Sequence, residues 1–540
     1  MNETAGEDSR LTAAPAARPG REAGPGPRSL LRYAPALVLL AAVAADSTQY
    51  ADTDLWGHVR FGQAMLSTGH LIRADTFSYS ALGHPWIDHE WLAEVVMALF
   101  YNAMGVAGLK LMKFLCAGAT VTLLAAGLAE TGASIAAQFV VLAAAAVALV
   151  QQMQFRPQLF DYVFLAALIA MLARESYRRR APLWLAVPML ALWANLHGGF
   201  FIGLVALGIY TAALAAEGVV RGTGPGRALR PGVITAAAAL ATLCNPWGSG
   251  EWTVVVRSLT NPYTMSRVSE FKPLLETLGA LQRAGMPTFP LVTMLSMLAA
   301  LVAACVLAPR RDDAALLSIA VVMVAAAFAA VRNTALAVLA LAVPLAYHAD
   351  LAAARLRLSA SAQARIGAAR LAPSPMPRAL QAAVTLAALL LALRAGLLSG
   401  PLRAAVRLPV GAVGFMAAHG LEGNVLDEYS WGGYLIWHAP GSKVFIDGRF
   451  EMVYPLEVQR DYLDFLRGGT GAAAVLAAYP TDYVLIPDRS AASRFMATQA
   501  RWRLIYRDPV AALFARADSP AARLAGVPLS RDDAPAGLFP

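Results

Sequence analysis

Tyr50-Ala-Asp-Thr-Asp-Leu-Trp-Gly-His58 sets two aspartates and a histidine directly after an apolar run at residues 30–45. At about 20 mostly apolar residues per bilayer span, about eleven such segments can be drawn along the chain. They lie at 30–45, 107–128, 134–152, 158–173, 182–196, 200–219, 232–245, 287–308, 314–331, 334–349 and 378–398. Threaded through a membrane with the arginines on one side, they bring Asp52, Asp54, His58, Asp88, His89, Glu90, Arg156, Asp161, Asn195, His197, Asn245, Glu270, Lys272, Arg332 and Asn333 out on the other. Ionisable groups gathered at one face of a membrane protein point to a site built there.

Composition agrees. The chain of 540 residues is 58% hydrophobic and 15% charged, with a mean hydropathy of +0.53, too apolar for a soluble globular protein. The net charge of +9 sits in alternate loops: Arg10 to Arg32, then Arg174, Arg178, Arg179 and Arg180, then Arg221, Arg227 and Arg230, then Arg310 and Arg311, then Arg355, Arg357, Arg365, Arg370 and Arg378. That is the positive-inside pattern. A helix-centre arginine costs about 2.5–3.5 kcal/mol on insertion scales, so placement in loops explains the basic charge without a nucleic-acid partner. The expected topology is a multi-pass protein of the bacterial inner (plasma) membrane, N-terminus cytoplasmic and residues 400–540 outside. Residues 1–29, rich in Pro, Gly, Ala and Arg, read as a disordered cytoplasmic tail. Ala42-Val-Ala-Ala45 resembles a signal-peptide cleavage site, but the long tail before it favours an uncleaved first span. Cys116, Cys244 and Cys305 lie in or beside spans and imply neither a disulfide framework nor a cysteine metal site.

Three parts follow. Residues 30–398 form the transmembrane domain, which includes a first outer loop at 46–106 and an outer excursion at 246–286. Residues 400–540 read as a small extracytoplasmic α/β domain, with short buried strands expected at 424–427, 443–447, 482–486, 502–507 and 511–515 and helices at 456–466, 471–478 and 491–499. No glycine-rich phosphate loop is present in the sequence.

The first outer loop is the densest in chemistry. Asp54 and His58, four residues apart, share a helix face. Leu55, Val59, Met65 and Leu66 give that helix an apolar side suited to the membrane interface. His84-Pro-Trp-Ile-Asp-His-Glu-Trp91 then leads into a second interfacial helix. A carboxylate here can take a proton from an acceptor hydroxyl, help worth about 10²–10⁴ in rate. The competing reading is that the aspartates cap a helix, a stabilisation of about 0.5–2 kcal/mol.

The loop resembles that of the GT-C superfamily of integral-membrane glycosyltransferases, which includes the protein O-mannosyltransferases and the lipid A aminoarabinose transferases. The resemblance is carried by the acids after the first span, the helix ending near Met65-Leu-Ser-Thr-Gly69, and Gly83-His-Pro-Trp86 before the second helix. Within the superfamily the chain is most similar to bacterial proteins with an Asp-Leu-Trp loop, a Trp-x-Asn-x-His-Gly-Gly segment and a Gly-Gly-Tyr-Leu C-terminal region. Here these are Asp54-Leu-Trp56, Trp193-Ala-Asn-Leu-His-Gly-Gly199 and Gly432-Gly-Tyr-Leu435. The acidic pair is Asp52-Thr-Asp54 where the named relatives tend to have adjacent Asp-Glu, which leaves open which aspartate is catalytic; position within Asp-Leu-Trp favours Asp54.

The resemblance implies transfer of a sugar from a polyprenyl-phosphate-linked donor to an extracytoplasmic glycolipid, glycan or protein, through an oxocarbenium-like state. The partners would be the lipid-linked donor, membrane lipid and the acceptor. Asp54 and Asp52 are the candidate catalytic acids, with His58, Asp88, His89 and Glu90 shaping the site. Arg156 and Arg332 suit the donor phosphate because a guanidinium fork binds two oxygens; the alternative is an interfacial anchor. Lys272 is a further candidate, with an ion pair to Glu270 as its other reading. Asn195 and His197 stand at a span end, where Gly198-Gly199 leaves room for a ligand and interhelical hydrogen bonding is the alternative. Asp161 is a functional candidate or the ion-pair partner of Arg156. No cofactor is certain: Mg²⁺ or Mn²⁺ suits the carboxylates, but no spacing matches a zinc motif and no metal ligand is assigned. Outside the membrane, Tyr429, Trp431, Tyr434, Asp447 and Arg449 offer either acceptor contacts or a structural turn and ion pair. A transporter or flippase of lipid-linked saccharide and a non-catalytic envelope scaffold are the rival functions; the former places its site mid-span within repeats, and none is visible.

Overall fold

The computed structural model describes residues 50–261, 269–309, 313–356, 401–404, 406–524 and 538–540, with positions 36, 37, 40, 386 and 390. The tail at 1–29, most of the segments at 30–45 and 378–398, and Arg310, Arg311, Arg357, Arg365, Arg370 and Arg378 lie outside the described residues.

Strand β1 (Tyr50–Ala51) leads through the aspartates into α1 (Leu55–Thr68). Leu55, Trp56, Val59, Phe61 and Met65 form its buried side, while Leu66 turns outward. The helix stops at Gly69, whose left-handed φ of 69° lets its N–H return to the Met65 carbonyl. Helix α2 (Trp91–Met104) packs across α1. The crossing is tight because residue 62 is glycine: a Cβ there would overlap the carbonyl oxygen of Glu94.

The bundle follows as α3 (Val106–Glu130), α4 (Ile135–Leu149), α5 (Gln158–Arg178), α6 (Ala186–Trp193), α7 (Phe200–Val220), α8 (Gly226–Ala241), α9 (Gly250–Thr260), α10 (Leu274–Arg283), α11 (Phe289–Leu307), α12 (Ala314–Ala329) and α13 (Thr334–Arg355). Each apolar segment expected from 107–128 through 334–349 is helical. Among the described residues, 4 helices are long and apolar enough to cross a membrane: α3, α7, α11 and α13 with its leading turn. Helices α2, α4, α6 and α12 are apolar but shorter. Every residue of α13 from Thr334 to His348 is buried, which makes it the central helix.

The outer region continues with β2 (Leu402–Ala404), α14 (Val410–Ala418), β3 (Asn424–Asp427), α15 (Gly432–His438), β4 (Lys443–Val444), α16 (Phe450–Val453), α17 (Leu456–Arg467), α18 (Thr470–Ala478), β5 (Tyr483–Pro487), α19 (Ala491–Met496), β6 (Trp502–Arg507), β7 (Ala511–Arg516) and β8 (Leu538–Phe539). The main sheet runs β4-β3-β5-β7-β6, parallel across its first three strands and antiparallel after β5. The strand expected at 443–447 stops at Val444 because the amides of Phe445 and Ile446 turn to the Asp427 carboxylate. A second sheet, β1-β2-β8, pairs Tyr50 with Arg403 and Leu402 with Phe539. It ties the start of the first loop to the C-terminus. Trp56, fully buried, adds edge contacts to Tyr434 and Phe539 at ring distances of 5.8 and 5.1 Å.

Candidate functional site

Asp54 occupies the N-cap position of α1, yet its side chain makes no capping hydrogen bond. The turn is held by Asp52, whose Oδ1 accepts the Asp54 N–H at 3.0 Å. Capping therefore accounts for Asp52 in part and not for the Asp54 carboxylate. That carboxylate faces Arg156, in the turn before α5. Arg156 lies 2.8 Å from Asp52, 3.5 Å from Asp54 and 2.6 Å from Glu270. One guanidinium meets three acids, and the balance divides the aspartates. Burial works to raise Asp52, but the Arg156 charge and hydrogen bond outweigh it and hold it below its usual range. Burial and the Asp52 charge push Asp54 the other way, up to about 7. The group stays reachable: Asp54 keeps 24% of its side chain exposed.

The C-terminal α/β region closes over this pair. A Cβ at Gly448 would overlap Asp54 Oδ1, and one at Gly433 would stand 2.9 Å from the Thr53 carbonyl oxygen. The Gly-Gly pair and the Ile-Asp-Gly turn thus lie against the aspartates because they lack side chains. Tyr429 is close enough for Asp54 to add to the burial that raises its phenol.

Behind Asp54 lies a second, more enclosed cluster. Gly62 brings α2 onto α1, so His58 Nδ1 reaches Glu94 Oε1 at 2.9 Å and Glu90 Oε2 at 3.7 Å. Asp88 and Glu94 lie in the same enclosure, where burial drives both carboxyls well above their usual range. Glu90 also faces His89 at 3.7 Å and His197 at 3.3 Å. His197 Nδ1 lies 2.6 Å from Asp161, whose other oxygen takes the Trp193 indole N–H at 2.6 Å. Asp161 is therefore the partner of His197, not of Arg156.

The remaining candidates divide. Arg332 stacks on Phe271 at 4.6 Å and has no carboxylate within ion-pair distance among the described residues. It still acts electrostatically on His197. Lys272 pairs with Glu276 at 3.4 Å, while Glu270 goes to Arg156. Asn195 is committed to Trp91, the Ala191 carbonyl and the Cys244 carbonyl, and Asn245 holds its own turn. The room at Gly198 and Gly199 is taken by the His89 ring and the Asp161 carboxylate. Asp447 and Arg449 form a buried brace: Arg449 reaches Asp447 at 2.5 Å and Asp75 of the first loop at 2.7 Å, beneath Phe61, Phe77 and Trp86. Sequence reasoning missed Glu94, Glu251 and Gly448. Glu94 lies one turn after Glu90, and Glu251 is a lone acid opening the apolar run of α9, signals that were present but unread. Glu251 is fully buried with neither oxygen hydrogen-bonded, and burial pushes it up to about 8.

Arg156 is the cation that the aspartate pair shares with Glu270. Two other groups bring ligand atoms within 4.8 Å of one another: His89, Glu90 and His197, and His58, Glu90 and Glu94.

Solved structures of an archaeal oligosaccharyltransferase share this fold. The oligosaccharyltransferase of Archaeoglobus fulgidus, tethered to an acceptor peptide containing an NVT sequon, superposes with a TM-score of 0.53 at 13% identity, covering 84% of this chain and 69% of that one. The same archaeal protein, AglB, in complex with an inhibitory peptide and a dolichol-phosphate gives 0.53 at 12% identity, over 85% and 69%. ArnT from Cupriavidus metallidurans bound to undecaprenyl phosphate gives 0.47 at 14%, over 92% and 98%. No family model and no curated protein matches the sequence. At these identities the likeness establishes the fold.

Proposed function

We propose that this chain is a membrane glycosyltransferase that moves a sugar from a polyprenyl-phosphate-linked donor to an acceptor on the face opposite the arginine loops. The observation that carries the proposal is Asp54: a reachable carboxylate with its proton affinity raised to about 7, in the first loop of this fold. A base poised near the working pH is suited to accept the acceptor's proton as the sugar is transferred. The archaeal neighbour was solved with an acceptor peptide and with a dolichol-phosphate, ligands of the two kinds the reaction needs.

Arg156 spends its charge on Asp52, Asp54 and Glu270 and so sets the base. Arg332, with no carboxylate within ion-pair distance among the described residues, is the arginine that takes the departing phosphate. The polar groups collect at the bundle's end, against a mid-span transport site.

The test compares envelope glycolipids, glycans and glycoproteins by mass spectrometry in cells lacking the gene and in cells complemented with wild type or Asp54→Asn. Loss of a sugar-sized mass that wild type alone restores supports the reading and names the substrate. Full restoration by Asp54→Asn removes Asp54 from the mechanism.

A further inference from the structure

The side of α1 turned away from Asp54 and His58 carries a polar stripe of its own. At about 100° per residue, Arg60 stands about 200° around the helix from His58. Arg60, Gln63, Ala64 and Ser67 follow at intervals of three and four and so share one side. With Phe77 of the first loop and Asn102 of α2, that side lines a cavity of about 510 Å³. Small-molecule sites span about 300–1,000 Å³. A second cavity of about 130 Å³ shares Arg60 and Phe77 and continues the groove to Gly441, Ser442 and Lys443 at the start of β4.

The charge in this groove is one-sided. None of the residues lining either cavity is acidic. Arg60 makes no hydrogen bond and no ion pair among the described residues, and Lys443 is held by the Thr76 carbonyl at 2.8 Å with no carboxylate partner among them. Two cations without counter-charge suit an anion, and a guanidinium fork matches the oxygens of a phosphate. Next to Arg60, Gln63 Nε2 donates to Asn102 Oδ1 at 2.7 Å, which turns one amide onto the other and leaves the Asn102 amino group as a free donor among the described residues.

The groove also has a direction. His58 meets Glu94 and Gln63 meets Asn102, so α1 and α2 advance together toward their C-terminal ends. Asn102 lies four residues before α3, whose 25 residues are apolar enough to cross a membrane. The corner between α2 and α3 is tight, since a Cβ at Gly108 would overlap the Phe100 carbonyl oxygen. The groove thus runs down to the level at which α3 would enter the bilayer, with exposed Leu66 and Leu99 beside its lower end. Apolar side chains, an amide donor, a free guanidinium and a second cation follow in the order of the chains, ester carbonyl, phosphate and outer headgroup of a phospholipid.

We propose that the groove between α1, α2 and the start of β4 binds an anionic phospholipid of the phosphatidylglycerol type, with its phosphate on Arg60 and its ester carbonyl at Asn102. Basic pockets at the membrane surface recognise such headgroups. Lys443 sets the selectivity: in the second cavity it would face the ammonium of a zwitterionic headgroup, a like-charge contact that disfavours that lipid. The site lies on the side of α1 opposite the aspartate pair, does not depend on the transfer reading, and would fix the first loop at the height of the membrane surface.

The test uses the full chain, delipidated in detergent and titrated with dioleoylphosphatidylglycerol or dioleoylphosphatidylethanolamine in mixed micelles while thermal unfolding is followed. Phosphatidylglycerol is expected to raise the melting temperature saturably and phosphatidylethanolamine to do so weakly. Arg60→Gln removes no hydrogen bond or ion pair among the described residues, so the lipid-free melting temperature is expected to stay in place. Its apparent affinity for phosphatidylglycerol is expected to fall about 10–100-fold, the loss of hydrogen bonds to a charged group. Lys443→Gln is expected to narrow the preference between the two lipids. Equal responses of wild type to both lipids, or an unchanged phosphatidylglycerol affinity in Arg60→Gln, overturns the proposal. Soluble glycerol 1-phosphate binding as tightly as the lipid, with the same dependence on Arg60, overturns it too, because the groove would then serve a free phosphate.

Discussion

At the scale of single residues, the site separates two aspartates of identical chemistry by what surrounds them. Arg156 holds Asp52 charged, and burial with the Asp52 charge leaves Asp54 titrating at about 7. If Asp54 is the base, its reactive form is the deprotonated one. Activity should then be full above about pH 7 and fall about tenfold per unit below it. Asp52→Asn removes a charge that raises Asp54, so the acid limb of the pH–rate profile should move to lower pH; an unmoved limb assigns the titration to another group. Asp54→Asn should lower turnover by about 10²–10⁴ above about pH 7, the deficit shrinking as the pH falls and wild type loses its base. Arg332 gives a separate reading. Replacing it with Gln should weaken transition-state binding by about 1.5–3 kcal/mol, the worth of a hydrogen bond to a charged group. Kinetics at varied donor concentration would show that loss in kcat/KM for the donor; an unchanged value would leave Arg332 as an anchor stacked on Phe271.

At the scale of elements, the site is a product of close approaches that glycines permit. Gly62 lets α2 touch α1 and so puts Glu94 against His58, while Gly433 and Gly448 let the outer region settle on Thr53 and Asp54. The Arg449 brace fastens that region to the first loop through Asp75. Arg449→Ala leaves the Asp75 and Asp447 carboxylates buried without their cation and should cost about 3–5 kcal/mol. Thermal unfolding in detergent checks this: a melting temperature within a degree of wild type would mean the brace contributes little. These contacts explain what the sequence could reveal. Apolar runs and alternating strands are local patterns, so helices α3 to α8, α11 to α13 and strands β3 and β6 were readable from composition and period, whereas α9 and α10, inside the excursion at 246–286, were not. The gathering of Asp54, His58, Glu90, Arg156 and His197 at one end followed from the alternation of arginine loops. Pairings across the fold were not readable. Nothing near Asp161 in the chain says that it serves His197 and not Arg156, five residues before it. Glu270 looks like a partner for Lys272 until tertiary packing delivers it to Arg156. Short apolar segments such as 182–196 do not by themselves fix the number of spans, because a core helix of α6 length has the same composition as part of a transmembrane one.

At the scale of the whole molecule, the two ends of the bundle are chemically opposite. At one end Arg178 pairs with Glu130, Arg230 with Glu175 and Arg227 with Glu217, all in helix turns beside the connections from α3 to α4, α5 to α6 and α7 to α8. The alternate loops meet at the other end, where Arg156 joins Asp52 to Glu270, Asn195 binds the Cys244 carbonyl, and the Val331 amide binds that of Lys272. If arginine loops remain in the cytoplasm, the candidate site faces outward, where a lipid-linked donor and an envelope acceptor can meet. Sidedness is therefore a condition of the proposed function. In a background with Cys116, Cys244 and Cys305 replaced by Ala, Gln282→Cys lies on an exposed position at the site end and Thr223→Cys on one at the arginine end. A membrane-impermeant maleimide applied to spheroplasts should label Gln282→Cys at once and Thr223→Cys only after permeabilisation. The reverse pattern would place Asp54 in the cytoplasm and exclude an extracytoplasmic acceptor, whatever the activity of purified protein. Equal labelling of both before permeabilisation would mean the probe had crossed the membrane, and a known cytoplasmic cysteine labelled in parallel distinguishes that case.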